Sequence, residues 1–104
     1  IMGTEAAEMG LASQALPTEE VLPAAMTIAR DIAENVAPVS AALAKQLMWS
    51  GLTVGIDEMI AAEGRLLPGL IKAPDSGEGV RAFFEKRTPK WQMRVSTDVP
   101  DLGI

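Results

Sequence analysis

Residues Asp75–Trp91 read DSGEGVRAFFEKRTPKW, a stretch of seventeen positions that holds a helix start, a helix stop and a cluster of cations. Asp75 followed three residues later by Glu78 has the spacing of a capping box, in which each side chain bonds the other's backbone amide. Thr88-Pro89 ends the run, because proline brings no amide to the next turn. The spacing predicts a helix of about three turns. Val80, Phe83, Phe84 and Arg87 share one side of it, so that side is expected to bury both phenylalanines and to end in a cation. Lys86, Lys90 and Arg94 extend the positive end.

The surrounding charge makes that end distinctive. Three basic residues face nine acidic ones from Ile1 to Ile71, a balance of -6, whereas Lys72 to Arg94 holds six basic against three acidic, a balance of +3. Two readings stay open. Cations in a last turn complement the helix dipole, and a positive segment inside an acidic chain also attracts an anionic ligand through its local potential. The chain's net charge of -5 argues against nucleic acid as a partner.

Outward from this stretch the chain reads as helix after helix. Its 104 residues support one domain at most, and alanine with leucine supplies much of the apolar content, which favours an all-α fold of about five helices. Thr4 is placed to cap a short helix closed by Gly10. LASQAL, residues 11–16, alternates like a strand, but no second strand is available to pair with it. Thr18 is expected to cap a second helix with an apolar face at Val21, Leu22, Ala25, Met26, Ala29 and Ile32, bent or delayed by Pro23. Pro38 opens a third helix that Gly51 closes. A fourth starts at Thr53 or Asp57 and is expected to kink or end at Pro68-Gly69. The tail QMRVSTDVPDLGI has no helical period and is expected to be extended or mobile. Residues 1–92 thus form the helical region and 93–104 the tail.

Few groups are available for chemistry. With no cysteine and no histidine, disulfides, thiolate metal sites and the usual neutral-pH base are all absent. The acidic pairs Glu5/Glu8, Glu19/Glu20 and Asp57/Glu58 sit in predicted first turns, where the dipole explains them. Glu63, amid Ala61, Ala62, Leu66 and Leu67, is the one acid expected to be partly buried, paired with Arg65 or a cation of another helix. Ser40 and Lys45 are five apart, which is poor geometry for a nucleophile and its base. No glycine-rich phosphate loop appears, and no acidic cluster is dense enough for metal. No catalytic residue and no metal ligand is therefore read from the sequence. No apolar run nears the ~20 residues of a membrane span and no secretory leader is visible, so the expectation is a cytoplasmic protein without a membrane partner.

The order of these parts resembles the C-terminal region of the crotonase family, the enoyl-CoA hydratases and isomerases. The resemblance runs from Thr4 to Trp91. It rests on EAAEMGL (residues 5–11), TEEVLPAA (18–25), the helix opening on APVS (37–40), the long helix bearing Glu63, and EGVRAFFEKRTPKW (78–91). It implies a chain that begins where an N-terminal spiral of ββα units ends, with the oxyanion-hole amides and catalytic glutamates in that spiral. It further implies acyl-CoA as substrate with no separate cofactor, and a homo-oligomer, trimer or hexamer. Residue by residue, it makes Lys86 a contact to the adenosine phosphate of coenzyme A in a neighbouring subunit, and draws Phe83 and Leu67 into the same binding region. The stretch Leu66-Leu67-Pro68-Gly69 stands where family members often carry an aromatic, and the lack of tyrosine argues against the naphthoate-synthase branch.

Two functions compete on these grounds. In one, the chain is part of an enoyl-CoA hydratase or isomerase of fatty-acid metabolism, supplying oligomer contacts and part of the coenzyme A pocket while being inactive alone. In the other, it is a standalone helical interaction module whose Leu, Met and Phe faces bind a partner.

Overall fold

Alanine and leucine in these proportions produce helix throughout. The computed structural model describes residues 1–104 and contains α1 (Gly3–Glu8), α2 (Thr18–Asn35), α3 (Pro38–Ser50), α4 (Ile56–Lys72), α5 (Pro74–Glu85) and α6 (Val95–Asp98), with no strand. The all-α class is as expected, with one short helix beyond the five segments read from the sequence. The chain divides into two units, Ile1–Ile32 and Ala33–Ile104.

In the first unit, α1 begins one residue earlier than Thr4 and carries no side-chain cap. Gly10, at φ 75°, ends it. The amides of Leu11 and Ala12 both donate to the Ala6 carbonyl, at 2.8 and 3.1 Å. That reversal uses backbone groups a strand would need, and residues 11–16 form none. α2 runs unbroken from Thr18 through Pro23, so the proline does not delay the helix. The apolar stripe is present at the expected spacing, yet Val21, Leu22, Met26 and Ile32 are all exposed. Periodicity made the face, and the first unit leaves these four side chains exposed.

The second unit holds the core. Pro38 occupies the first turn of α3, where its missing amide has no intrahelical role, and Gly51 ends that helix from a right-handed φ of -60°. α4 starts at Ile56 after Gly55, between the two predicted starts, and continues through Pro68 and Gly69 to Lys72. The predicted break does not occur. The carbonyl four residues before Pro68 belongs to Gly64, whose backbone yields most readily to the proline ring. Ala73 ends α4 and precedes α5 at φ -69°, ψ 151°. Extended geometry there is what a following proline, Pro74, imposes on its neighbour.

Val39 and Leu43 of α3 and Leu66 of α4 are buried together, with Leu47, Leu70, Met93, Val99 and Leu102 packed around them. α3 packs on α4 and α6, and α4 on α5. Three of those surrounding residues come from the tail, which therefore departs from the extended or mobile segment expected. Its VSTD turn is α6, and Arg65 donates to the carbonyls of Leu102 (3.2 Å) and Gly103 (3.5 Å). Arg65 is thus turned to the chain end. Glu63 is exposed, not partly buried as its apolar neighbours implied.

Candidate functional site

The site grows from the first turn of α5. Because Pro74 takes the first helical position, Ala73 occupies the cap and no side-chain cap bond forms. The capping box predicted for Asp75 and Glu78 is therefore absent. Both carboxylates lie inside the helix instead, three apart and so on one face, with Ala82 further along it. All three are buried. That face packs against the chain returning after the helix, and Val80, Phe83 and Phe84 point elsewhere.

The returning segment, residues 88–94, belongs to no helix or strand, so its amides need other acceptors. The two carboxylates supply them. Asp75 Oδ1 accepts from the Gln92 amide at 2.7 Å, and the Met93 amide lies 3.3 Å from Oδ2. Glu78 Oε1 accepts from the Lys90 amide at 2.7 Å and from Arg87 Nη1 at 2.6 Å, while Oε2 accepts from Arg87 Nη2 at 3.2 Å and Arg81 Nη2 at 3.4 Å. The Arg87–Glu78 pair is bidentate, the stronger form of such a bridge. Arg87 also donates through Nε to Glu85.

These bonds set the local electrostatics. The Arg87 side-chain bonds first, then the Lys90 amide, hold the Glu78 carboxyl down at about 2 from an ordinary 4.5, against the opposing effect of burial. Glu78 and then Glu85 push Arg87 still further above its usual range. Arg87 is therefore paired with two carboxylates, although its side chain remains 34% exposed.

Lys86 differs. It ends α5 at φ 52°, ψ 45°, the protein's one non-glycine residue in the left-handed region. Its amide donates to Phe83 and that of Arg87 to Ala82, at 3.3 and 3.1 Å. This closure normally favours glycine, because a Cβ is crowded there. Lys86 is exposed and takes part in none of the ion pairs around it. Replacing it by glycine is expected to stabilise the fold by up to about 1.5 kcal/mol, the difference between relief of a roughly 1–2 kcal/mol penalty and the ~0.4–1 kcal/mol of added unfolded-chain entropy. Thermal unfolding of the two proteins side by side measures it.

Lys86 and Phe83 line one open groove of about 450 Å³, with Gly79, Trp91 and the ion-paired Arg87. The Trp91 ring covers Gly79, where a Cβ would already touch it at 3.5 Å. Its indole N–H donates to the Glu34 carbonyl at 3.0 Å, which holds the ring as a wall of the groove. Phe83 is 79% exposed and Phe84 77%, and their rings meet edge to face at 5.7 Å. The expectation that this helix buries both rings is thus corrected: its buried face is the carboxylate face. Leu67 lies apart from Lys86 and Phe83, in a smaller groove of about 230 Å³ with Val39, Leu70 and Ser76.

Sequence reasoning missed the Glu78–Arg87 bridge, the Asp75 contacts and the Trp91 bond. The one usable signal was Pro74, which moves the helix start ahead of Asp75 and so dissolves the capping box. No group of three or more acidic side chains is placed to hold a metal.

A family model described as enoyl-CoA hydratase/isomerase matches residues 1–94. Among curated relatives, a probable mitochondrial enoyl-CoA hydratase of Dictyostelium discoideum is 34% identical over 91 residues, covering 88% of this chain and 32% of that protein. The human mitochondrial enoyl-CoA hydratase domain-containing protein 2 is 37% identical over 94 residues, with the same coverages. A crystal structure of a probable enoyl-CoA hydratase/isomerase from Mycobacterium abscessus superimposes with a TM-score of 0.81 at 42% identity, covering 88% of this chain and 36% of that one. The chain spans about a third of the length of these relatives. Its fold, its order of elements and the family match over nearly its whole length agree: this chain belongs to the enoyl-CoA hydratase/isomerase family.

Proposed function

We propose that this chain is the C-terminal helical part of an enzyme that hydrates or isomerises enoyl-CoA thioesters in fatty-acid metabolism, and that it contributes oligomer contacts and part of the coenzyme A pocket. The observation that carries this reading is Lys86, an exposed cation kept in a conformation that favours glycine, on the rim of a groove walled by Phe83 and Trp91. A phosphate is the ligand group such a cation suits, and the aromatic walls suit the adenosine beside it.

The chemistry falls to groups outside this chain. Stabilising a thioester enolate requires an oxyanion hole, and moving water and protons requires an acid and a base of suitable pKa. Glu78, held at about 2 and closed off by Arg87, is too weak a base for that task. The chain has neither histidine nor cysteine to replace it. No helix is long and apolar enough to cross a membrane. Relatives described as mitochondrial are among those this chain matches.

The test is titration with coenzyme A and with 3′-dephospho-coenzyme A at low salt, followed by amide NMR. Lys86→Ala is expected to weaken coenzyme A binding about tenfold, the scale of one charge-assisted hydrogen bond, and to leave the dephospho form nearly unchanged. Equal binding of coenzyme A by both proteins would sink the assignment. The uncovered apolar residues of α2 and α5 also fit a standalone interaction module. A sharp, cooperative melt of a monomer that ignores both nucleotides would favour that second reading.

A further inference from the structure

We infer that Glu78 is a positioning residue for Lys86, locking the backbone on the C-terminal side of that lysine so that its ammonium stays at the groove. The inference rests on the reading of Lys86 as a phosphate contact. Glu78 itself is 5% exposed and its oxygens are occupied by Arg87, Arg81 and the Lys90 amide, so it meets no ligand.

On its N-terminal side Lys86 is held by the end of α5, through bonds to the Phe83 and Ala82 carbonyls. Left to itself, a lysine there would relax out of the left-handed region. Relaxation requires Arg87 and the chain after it to move, and both are tied to one carboxylate: Arg87 by a bidentate bridge and Lys90 by its amide. Glu78 sits eight residues before Lys86, two helical turns away, so a rigid helix connects the lock to the residue it holds. Residues held in such backbone regions persist only where the surroundings over-determine them. Here the over-determination is visible, and the residue it holds is the cation at the groove.

The measurement is the preference of the protein for coenzyme A over 3′-dephospho-coenzyme A, read by amide NMR at low salt and at a temperature where circular dichroism shows each variant folded. Glu78→Gln keeps the side chain's size and its acceptor for Lys90 but loses the charge that grips Arg87. It is expected to reduce the preference several-fold, toward that of Lys86→Ala, with dephospho binding altered less than about twofold. Glu78→Gln combined with Lys86→Ala should then be no worse than Lys86→Ala alone. Arg87→Lys, which keeps the charge but loses the fork, should act in the same direction and serves where the glutamine variant does not fold. A folded variant with its full preference, or one that loses both ligands equally as a general loosening would, overturns the positioning role. If Lys86→Ala itself leaves the preference intact, the phosphate reading fails instead, and the positioning role fails with it.

Discussion

Leu43→Ala is expected to lower the unfolding free energy by about 2–5 kcal/mol, the range for removing a large aliphatic side chain from a packed interior. Leu43 is 2% exposed and, with Val39, is one of the two largest fully buried side chains. It is clustered with Leu66 of α4, and the tail residues Val99 and Leu102 pack against that cluster, which thus joins segments far apart in sequence. Partly buried Leu47 and Leu70 line the same cluster and can shift into part of the space, which places the effect in the lower half of the range. Even that is a large share of the ~5–15 kcal/mol typical of a domain. Urea unfolding should show the midpoint falling with little change in slope. Phe83→Ala is the internal comparison: despite its larger ring, its exposure should keep the change within about 0.5 kcal/mol. A loss from Phe83→Ala matching that from Leu43→Ala would mean that the phenylalanine face is covered in solution.

The second large effect is a dependence on acid that Glu78 supplies. Its folded-state pKa of about 2 lies below the ordinary 4.5, so the folded protein keeps this carboxylate charged where the unfolded chain has bound a proton. The resulting stability is fully present above about 4.5 and is lost as the pH falls toward 2. Glu78→Gln removes the titrating group and leaves Arg87 with Glu85 alone. The variant should therefore be clearly less stable than the parent near neutral pH, and the gap should close progressively in acid. Urea midpoints for both proteins at about pH 7 and again near pH 2 test this directly. A gap that stays constant across that range would show that the bridge to Arg87 does not hold the carboxyl down. Because Glu78 is buried, added salt should narrow the neutral-pH gap only slightly.

Much of the secondary structure was legible because each rule involved is local. Pro38 and Gly51 bound α3 as read, since a proline's missing amide and a chain stop act on the residues beside them. The carboxylates of α5 were not legible in the same way. Asp75 and Glu78 have the spacing of a cap, but their actual partners lie at Arg87, Lys90, Gln92 and Met93, beyond the end of the helix. The same holds for Trp91, whose indole reaches a carbonyl 57 residues earlier. At the groove, the charge pattern pointed to a positive end, and spacing put Arg87 on the phenylalanine side of the helix with Lys86 as an extension of that end. Folding separates them: Arg87 is paired with two carboxylates, and Lys86 faces outward in a left-handed turn. Leu67 shared a sequence argument with Phe83 but not a groove.

By itself, the order of residues was enough to establish an all-helical chain, a basic segment within an acidic protein and a resemblance to the family that the comparisons confirm. Those properties come from helical periodicity, composition and the order of short motifs, all read along the chain. Only the tertiary structure decided which helix faces are buried, that the tail packs on α3, and that α5 turns its carboxylates inward and its phenylalanines out. The physical reason is that a side chain's burial and charge depend on what meets it in space. A segment outside helix and strand must satisfy its amides, and here two acids meet that need in place of capping their own helix.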